Sequence, residues 1–314
     1  EFLVRIAKLG IKAFIISGNH DSPERIAFGG RLMTASGIYM SPVYCGHTEP
    51  VRCRDEHGNV NVYMLPFIKP STVRGYFGDG IVTYTDAVKA AVAEMDIDAS
   101  ERNVLITHQF VTGAERSESE EISVGGTDNV DACVFEGFDY VALGHVHGPQ
   151  NAGGGHIRYC GAPLKYSFSE AKHKKSVTMV DLRKKGEISV TELPLCPMRD
   201  LKEIRGKYDE ILDKNFYDGT SYRDDYMHVT LTDEQDIPDA MAKLRVVYRN
   251  LMKMDYDNTR TRADVSVGEA EDVETRSLFD LFCELYEKQN NAPMSDGQKE
   301  FCRDLLDKIG EDAQ

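Results

Sequence analysis

Ala13-Phe14-Ile15-Ile16-Ser17-Gly18-Asn19-His20-Asp21 opens on a short apolar run and closes on four small or polar residues. The run has the composition of a buried strand, and the glycine marks the turn that ends it. At that turn the Asn-His pair offers a neutral amide oxygen and an imidazole, two donors a divalent cation accepts. Two later segments repeat the pattern. Thr107-His108 closes the apolar run that starts near Asn103, and Gly144-His145-Val146-His147 closes Tyr140-Val141-Ala142-Leu143. Histidine at one strand end is ordinarily structural. Donors at three strand ends are different, because the strand ends of an α/β fold converge on one rim. Asn19, His108, His145 and His147 can therefore meet there, with His145 and His147 diverging after Gly144 toward adjacent ions. Imidazole with amide oxygen suits Mn, Fe or Zn better than Mg alone. Two such ions about 3.5–4 Å apart would clamp a phosphate ester.

The surrounding pattern supports a layered α/β domain. Strands are predicted at 12–17, 37–45, 59–66, 102–107, 139–144, 156–160, 175–182 and 187–193, and helices at 1–9, 22–36 and 84–97. Ser22-Pro23-Glu24 reads as a helix start, and Arg52 to Val62 as a hairpin turning at Glu56-His57-Gly58-Asn59. The polar segment 109–131 is long for a connection and lies beside a candidate ligand, which marks it as functional. Past Pro197 the rhythm restarts as strand 199–205, helix 206–214, strand 225–232, helix 237–249 and strand 251–258, the size of a small α+β unit. Two amphipathic helices close the chain, about 275–289 and 295–310. Their apolar stripes are Leu278, Phe279, Leu281, Phe282 and Leu285, then Phe301, Leu305, Leu306 and Ile309.

Bulk properties exclude several classes. No apolar stretch is long enough to span a membrane, and the run at 13–16 is too short for a signal peptide. Seven dispersed cysteines without a C-x-x-C argue for reduced thiols in a cytoplasm, not a disulfide framework or zinc cluster. A net charge of −15 by itself disfavours nucleic-acid binding. Yet between Lys165 and Lys185 seven Lys/Arg stand against only Glu170 and Asp181, a basic strip able to face phosphates. A lysine-protected hairpin edge would read the same way.

These motifs resemble the calcineurin-like metallophosphoesterase family, and within it the SbcD-type nuclease subunits of bacterial SbcCD exonucleases. The resemblance runs along nearly the whole chain. Its finer phrasing lies in Phe110-Val111-Thr112-Gly113-Ala114, Val124-Gly125-Gly126-Thr127, Phe138-Asp139-Tyr140, Pro163-Leu164-Lys165-Tyr166-Ser167-Phe168-Ser169-Glu170, Asp255-Tyr256-Asp257-Asn258 and Gln289-Asn290. It implies a four-layer α/β/β/α sandwich over 1–195, incomplete at its N-terminus. A small capping, DNA-binding domain would follow at 196–271, and a helical pair at 272–314 would dock the SbcC-type coiled-coil ATPase subunit. It implies nucleoid-associated, metal-dependent hydrolysis of DNA at duplex ends and hairpins in repair, recombination and replication. The cofactors would be two divalent cations, Mn2+ first and Mg2+ as the alternative, and the assembly a homodimer within a heterotetramer.

Residue by residue, Asn19, His108 and His145 become ligands of one cation and His147 of the other. His20 becomes the catalytic group facing the scissile phosphate. Asp21 orients His20 or supports the turn, and Lys165, Lys172, Lys174 and Lys175 contact the DNA backbone. Gly148 stands where the subfamily often carries a basic residue, and Cys160 and Ala162 replace frequent serines.

The family also carries an Asp-x-His and a Gly-Asp ahead of its Gly-Asn-His, and residues 1–17 contain neither. Asp55-Glu56-His57 and Gly78-Asp79 match in type but follow the motif, so they are rejected. The chain is therefore expected to be an N-terminally truncated form that binds metal weakly and does not cleave DNA alone. Two alternatives remain: another phosphatase or phosphodiesterase on this fold, or an inactive fragment that binds DNA or the ATPase.

Overall fold

The computed structural model describes residues 1–117, 128–259, 261, 278–290 and 293–312. They form a mixed α/β structure in two compact units, Glu1–Met198 and Arg199–Gln314.

The first unit begins with helix α1 (Phe2–Lys8) and strand β1 (Ala13–Ile16). Helices α2 (Pro23–Ala27) and α3 (Gly30–Thr34) follow, then β2 (Ile38–Ser41), which pairs parallel to β1. Phe14 stacks on Tyr39 across this pair at 5.3 Å. The single helix expected over 22–36 is broken in two. Phe28 takes an extended ψ of 120° and Gly29 a left-handed φ of 78°, conformations that no α-helix continues through.

Next come β3 (Val51–Asp55), β4 (Gly58–Leu65), α4 (Pro70–Phe77), α5 (Tyr84–Ala93) and β5 (Arg102–His108). Helix α4 is an addition to the expected elements, its Pro70 start and central glycine having obscured its period. A capping box, Thr83 with Asp86, starts α5. The short strands β6 (Phe110–Val111) and β7 (Asn129–Val130) pair with each other, and β8 (Tyr140–Gly144), β9 (Gln150–Asn151) and β10 (Ile157–Tyr159) complete the main sheet. Its order is β3-β4-β5-β8-β10-β9, with β4, β5, β8 and β10 mutually parallel. Strands β11 (Ser176–Leu182) and β12 (Ile188–Pro194) form a separate antiparallel hairpin. The core beneath the main sheet gathers Tyr63, Leu65, Val88, Leu105, Phe135, Val141 and Tyr159, with Tyr63 edge-on to Phe138.

One side chain ties the two hairpins together. The Arg102 guanidinium is buried and forks onto both oxygens of Asp55. It also donates to Gly58 O (2.8 Å), Leu182 O (3.0 Å) and Arg183 O (2.9 Å). The Arg102 hydrogen bonds hold the Asp55 carboxyl down to about 2, well below the usual carboxylate range. Asp55 is thus a structural partner at the end of β3, consistent with its rejection as a ligand.

In the second unit β13 (Leu201–Gly206), α6 (Tyr208–Leu212), α7 (Lys214–Tyr217), β14 (Tyr226–Leu231), α8 (Ala240–Val247) and β15 (Leu251–Tyr256) alternate. All three strands run parallel in the order β13-β14-β15. The strand–helix segmentation is as expected, but the segregated α+β arrangement is not what forms. Parallel neighbours require a crossover, and the helices supply it. The core holds Ile204, Ile211, Met227, Val229, Leu231, Leu244 and Tyr248.

Helices α9 (Leu278–Asn290) and α10 (Asp296–Asp312) pack on each other through Arg303 over Phe279 (4.4 Å) and Gln298 Nε2 to Tyr286 Oη (3.0 Å). Phe282, Leu285, Phe301 and Leu305 stay exposed; the side chains of Leu278 and Ile309 lie outside the described residues. Among the described residues no helix is long and apolar enough to cross a membrane, and all seven cysteines are free.

Candidate metal centre

Parallel strands end on one side of a sheet, so the segments that follow β4, β5 and β8 emerge together. The segment after β1 is fastened to the same side. Ser17 is buried, its carbonyl accepts the Phe67 N–H (3.0 Å), and its hydroxyl donates to Pro42 O (2.6 Å). The turn then closes on itself, with the Asp21 carboxylate accepting the Gly18 N–H at 2.7 Å. Of the two supports expected of Asp21, the one that forms is to the turn.

Three predicted ligands meet at one atom. The Oδ1 of Asn19 lies 2.9 Å from His108 Nε2 and 3.4 Å from His145 Nδ1, and the two imidazoles are 5.2 Å apart, edge to face. Two glycines make this possible. A Cβ on Gly18 would stand 2.8 Å from His108 Cε1, and one on Gly144 only 2.7 Å from His108 Nδ1. The ring therefore lies in a slot that only missing side chains leave open. His145 follows with a φ of 101°, a backbone conformation rare outside glycine and costly unless its surroundings impose it.

The walls of the cluster are aromatic. Phe67 stacks on His145 at 6.5 Å and meets His108 edge-on at 6.1 Å, while Phe110 abuts His145 at 6.2 Å. Tyr159 fixes the strand just past His108, its hydroxyl donating to Gln109 O and accepting the Val111 N–H, both at 2.7 Å. Burial pushes the His108 imidazole down to about 4, and the neighbouring His145 acts in the same direction while Asp21 opposes it. At neutral pH His108 is therefore uncharged.

His147 stands apart from that atom. Its Nδ1 is 2.8 Å from Glu170 Oε1, and its ring meets Tyr166 edge-on at 5.6 Å. His20 is exposed at the lip of the turn, near enough to His108 for its charge to oppose protonation there.

The donor chemistry fits a cation. Two imidazoles and an amide oxygen converge within hydrogen-bond distance, and a carboxylate-oriented imidazole stands ready for another. What the set lacks is charge. Among the described residues no three His, Cys, Asp or Glu side chains form a metal-binding group.

The basic strip is corrected at one position. Lys175 is not a surface cation. It is buried, and its ammonium donates to Glu170 Oε2 (2.6 Å) and His147 O (2.9 Å). Lys165 is half-buried and donates to Ala171 O (2.6 Å); Lys172 and Lys174 are exposed. Much of the polar 109–131 segment, residues 118–127, lies outside the described residues; its flanks are clasped by Arg116 on both oxygens of Asp128.

Glu170 and Phe67 are the site residues that sequence reasoning passed over. Glu170 did carry a sign, as one of two acids in a strip of seven cations. Phe67 carried none, being one more aromatic after an apolar strand.

The SbcD_C family, described as "Type 5 capsule protein repressor C-terminal domain", matches residues 197–290. The SbcD subunit of the SbcCD nuclease from Staphylococcus epidermidis (strain ATCC 12228 / FDA PCI 1200) is 30% identical over 309 residues, spanning 96% of this chain and 79% of the relative. The chain belongs to the SbcD family of nuclease subunits.

Proposed function

We propose that this chain acts in metal-dependent hydrolysis of DNA phosphodiester bonds, at duplex ends and hairpins, as the nuclease component of an SbcCD-type complex. The observation that carries the reading is the meeting of His108 and His145 on Asn19 Oδ1. These three residues would hold one divalent cation, and His147 would contribute to a second, Mn2+ being the first choice and Mg2+ the alternative. Bound cations would supply a nucleophile from water near neutral pH and neutralise charge developing on the phosphate. The chain's own residues do the rest. Phe67 and Phe110 keep bulk water from the imidazoles. His20, at the exposed lip, stabilises charge on the phosphate or protonates the leaving oxygen. Asp21 holds the turn that presents both Asn19 and His20. Lys172 and Lys174 face backbone phosphates. On this reading the sheets of the first unit belong to a four-layer sandwich, and the exposed stripes of α9 and α10 dock a coiled-coil ATPase subunit of SbcC type, within a homodimer-based heterotetramer.

Among the described residues the donors clustered at this rim, Asn19, His108 and His145, include no carboxylate, so two cations would lie close together without a charge-neutralising bridge. The purified polypeptide is accordingly expected to leave blunt duplex DNA intact in Mn2+. Robust end degradation that Asn19→Ala abolishes would contradict this, and turnover of small phosphodiesters without attack on duplex ends would favour a general phosphodiesterase. In the same preparation, deleting 272–314 is expected to abolish capture of the ATPase subunit; undiminished capture refutes the docking assignment.

A further inference from the structure

Behind His147 lies a buried acid–base pair that the cation rim itself does not use. Glu170 ends a short 3-10 turn, Phe168–Glu170, and is wholly buried. Its Oε1 lies 2.8 Å from His147 Nδ1 and its Oε2 2.6 Å from Lys175 Nζ. Lys175, 6% exposed, also donates to the His147 carbonyl (2.9 Å), which accepts the Ala162 N–H as well (3.1 Å). The loop is built around that carbonyl. Gly161 takes a φ of 77°, and a Cβ there would come within 2.7 Å of His147 O. Tyr166 meets the ring edge-on at 5.6 Å. His147 is thus held at its backbone and at its ring.

Burying two ions is costly unless each is paired and hydrogen-bonded, and here the sequence offers an easier course. A glutamate and a lysine in a basic strip would ordinarily both reach water. Their burial beside one imidazole calls for a reason, and the geometry supplies one. A carboxylate at Nδ1 selects the tautomer with its hydrogen on Nδ1, which leaves the ring's lone pair on Nε2. The lysine places its countercharge on the other carboxylate oxygen and ties that carboxylate to the backbone of the residue it orients.

We propose that Glu170 and Lys175 are positioning residues for the second cation: they lock His147 as an Nε2 donor. This rests on the reading of His147 as a ligand.

The test uses the 1–314 chain labelled with 15N-histidine and titrated with Zn2+, reading each imidazole nitrogen, with His147 assigned by His147→Gln. In the metal-free chain His147 should show hydrogen on Nδ1 and a lone pair on Nε2, and Zn2+ should shift its Nε2. Glu170→Gln should give a tautomer mixture and raise the Zn2+ midpoint at His147 roughly 10- to 100-fold, leaving those of His108 and His145 in place. Glu170→Asp, which draws the carboxylate back from the ring but keeps the charge beside Lys175, carries the test if the Gln variant does not fold. An unchanged tautomer and midpoint in these variants overturns the proposal alone. Zn2+ that shifts His108 and His145 in the wild-type chain but never His147 Nε2 overturns the ligand reading, and the proposal with it.

Discussion

Arg102→Met is expected to destabilise the first unit by about 1–3 kcal/mol, the usual cost of taking a buried donor away from its acceptors. The arginine does more than neutralise Asp55. Its guanidinium is nearly inaccessible and also satisfies the carbonyls of Gly58, Asn59, Leu182 and Arg183, so methionine would leave four acceptors without that donor. Asp55 is partly exposed and can recover water, which places the loss in those carbonyls and in the join between hairpins β3-β4 and β11-β12. Arg102→Lys keeps the charge but not the fork, so it should recover only part of the stability. Urea unfolding monitored by circular dichroism gives the comparison. A loss below about 1 kcal/mol for the methionine variant would mean that the join is incidental.

Gly144→Ala is expected to have the largest effect on cation binding at the rim. The added methyl would lie 2.7 Å from His108 Nδ1, inside any tolerable contact, and Gly18 lies close against the same ring. His108 must then leave its place beside Asn19 Oδ1. Losing a direct donor should weaken binding at least as much as losing an outer partner, so a fall of roughly tenfold or more is expected. The control is Gly75→Ala in α4, where the new Cβ meets nothing within 4 Å. That change should leave binding alone and raise stability slightly, as alanine does within a helix. Equal affinity in both variants, measured by calorimetric titration with Zn2+, would contradict the slot.

The rim is legible in the sequence because each candidate ligand follows an apolar run, and parallel strands deliver their ends to one side. Asn19, His108 and His145 need only that rule. Lys175 misleads for a reason that composition cannot overcome. A lysine among lysines looks solvated, and only the fold shows that a single turn at Phe168–Glu170 folds Glu170 back beneath it. The break at Phe28-Gly29 is hidden in a similar way, since helical spacing continues across a glycine that the backbone uses in its left-handed form. In the second unit the alternation of strands and helices is plain. Strand direction is not, because pairing partners leave no mark in a strand's own pattern.

Asn19, His108 and His145 share one cation if the rim works as proposed. The most direct measurement is a Zn2+ titration of the 15N-histidine-labelled chain beside Asn19→Ala. His108 Nε2 and His145 Nδ1 should shift together with a single midpoint, and removing the Asn19 amide should raise that midpoint roughly tenfold or more. Separate midpoints for the two histidines, or a midpoint indifferent to Asn19, would contradict it.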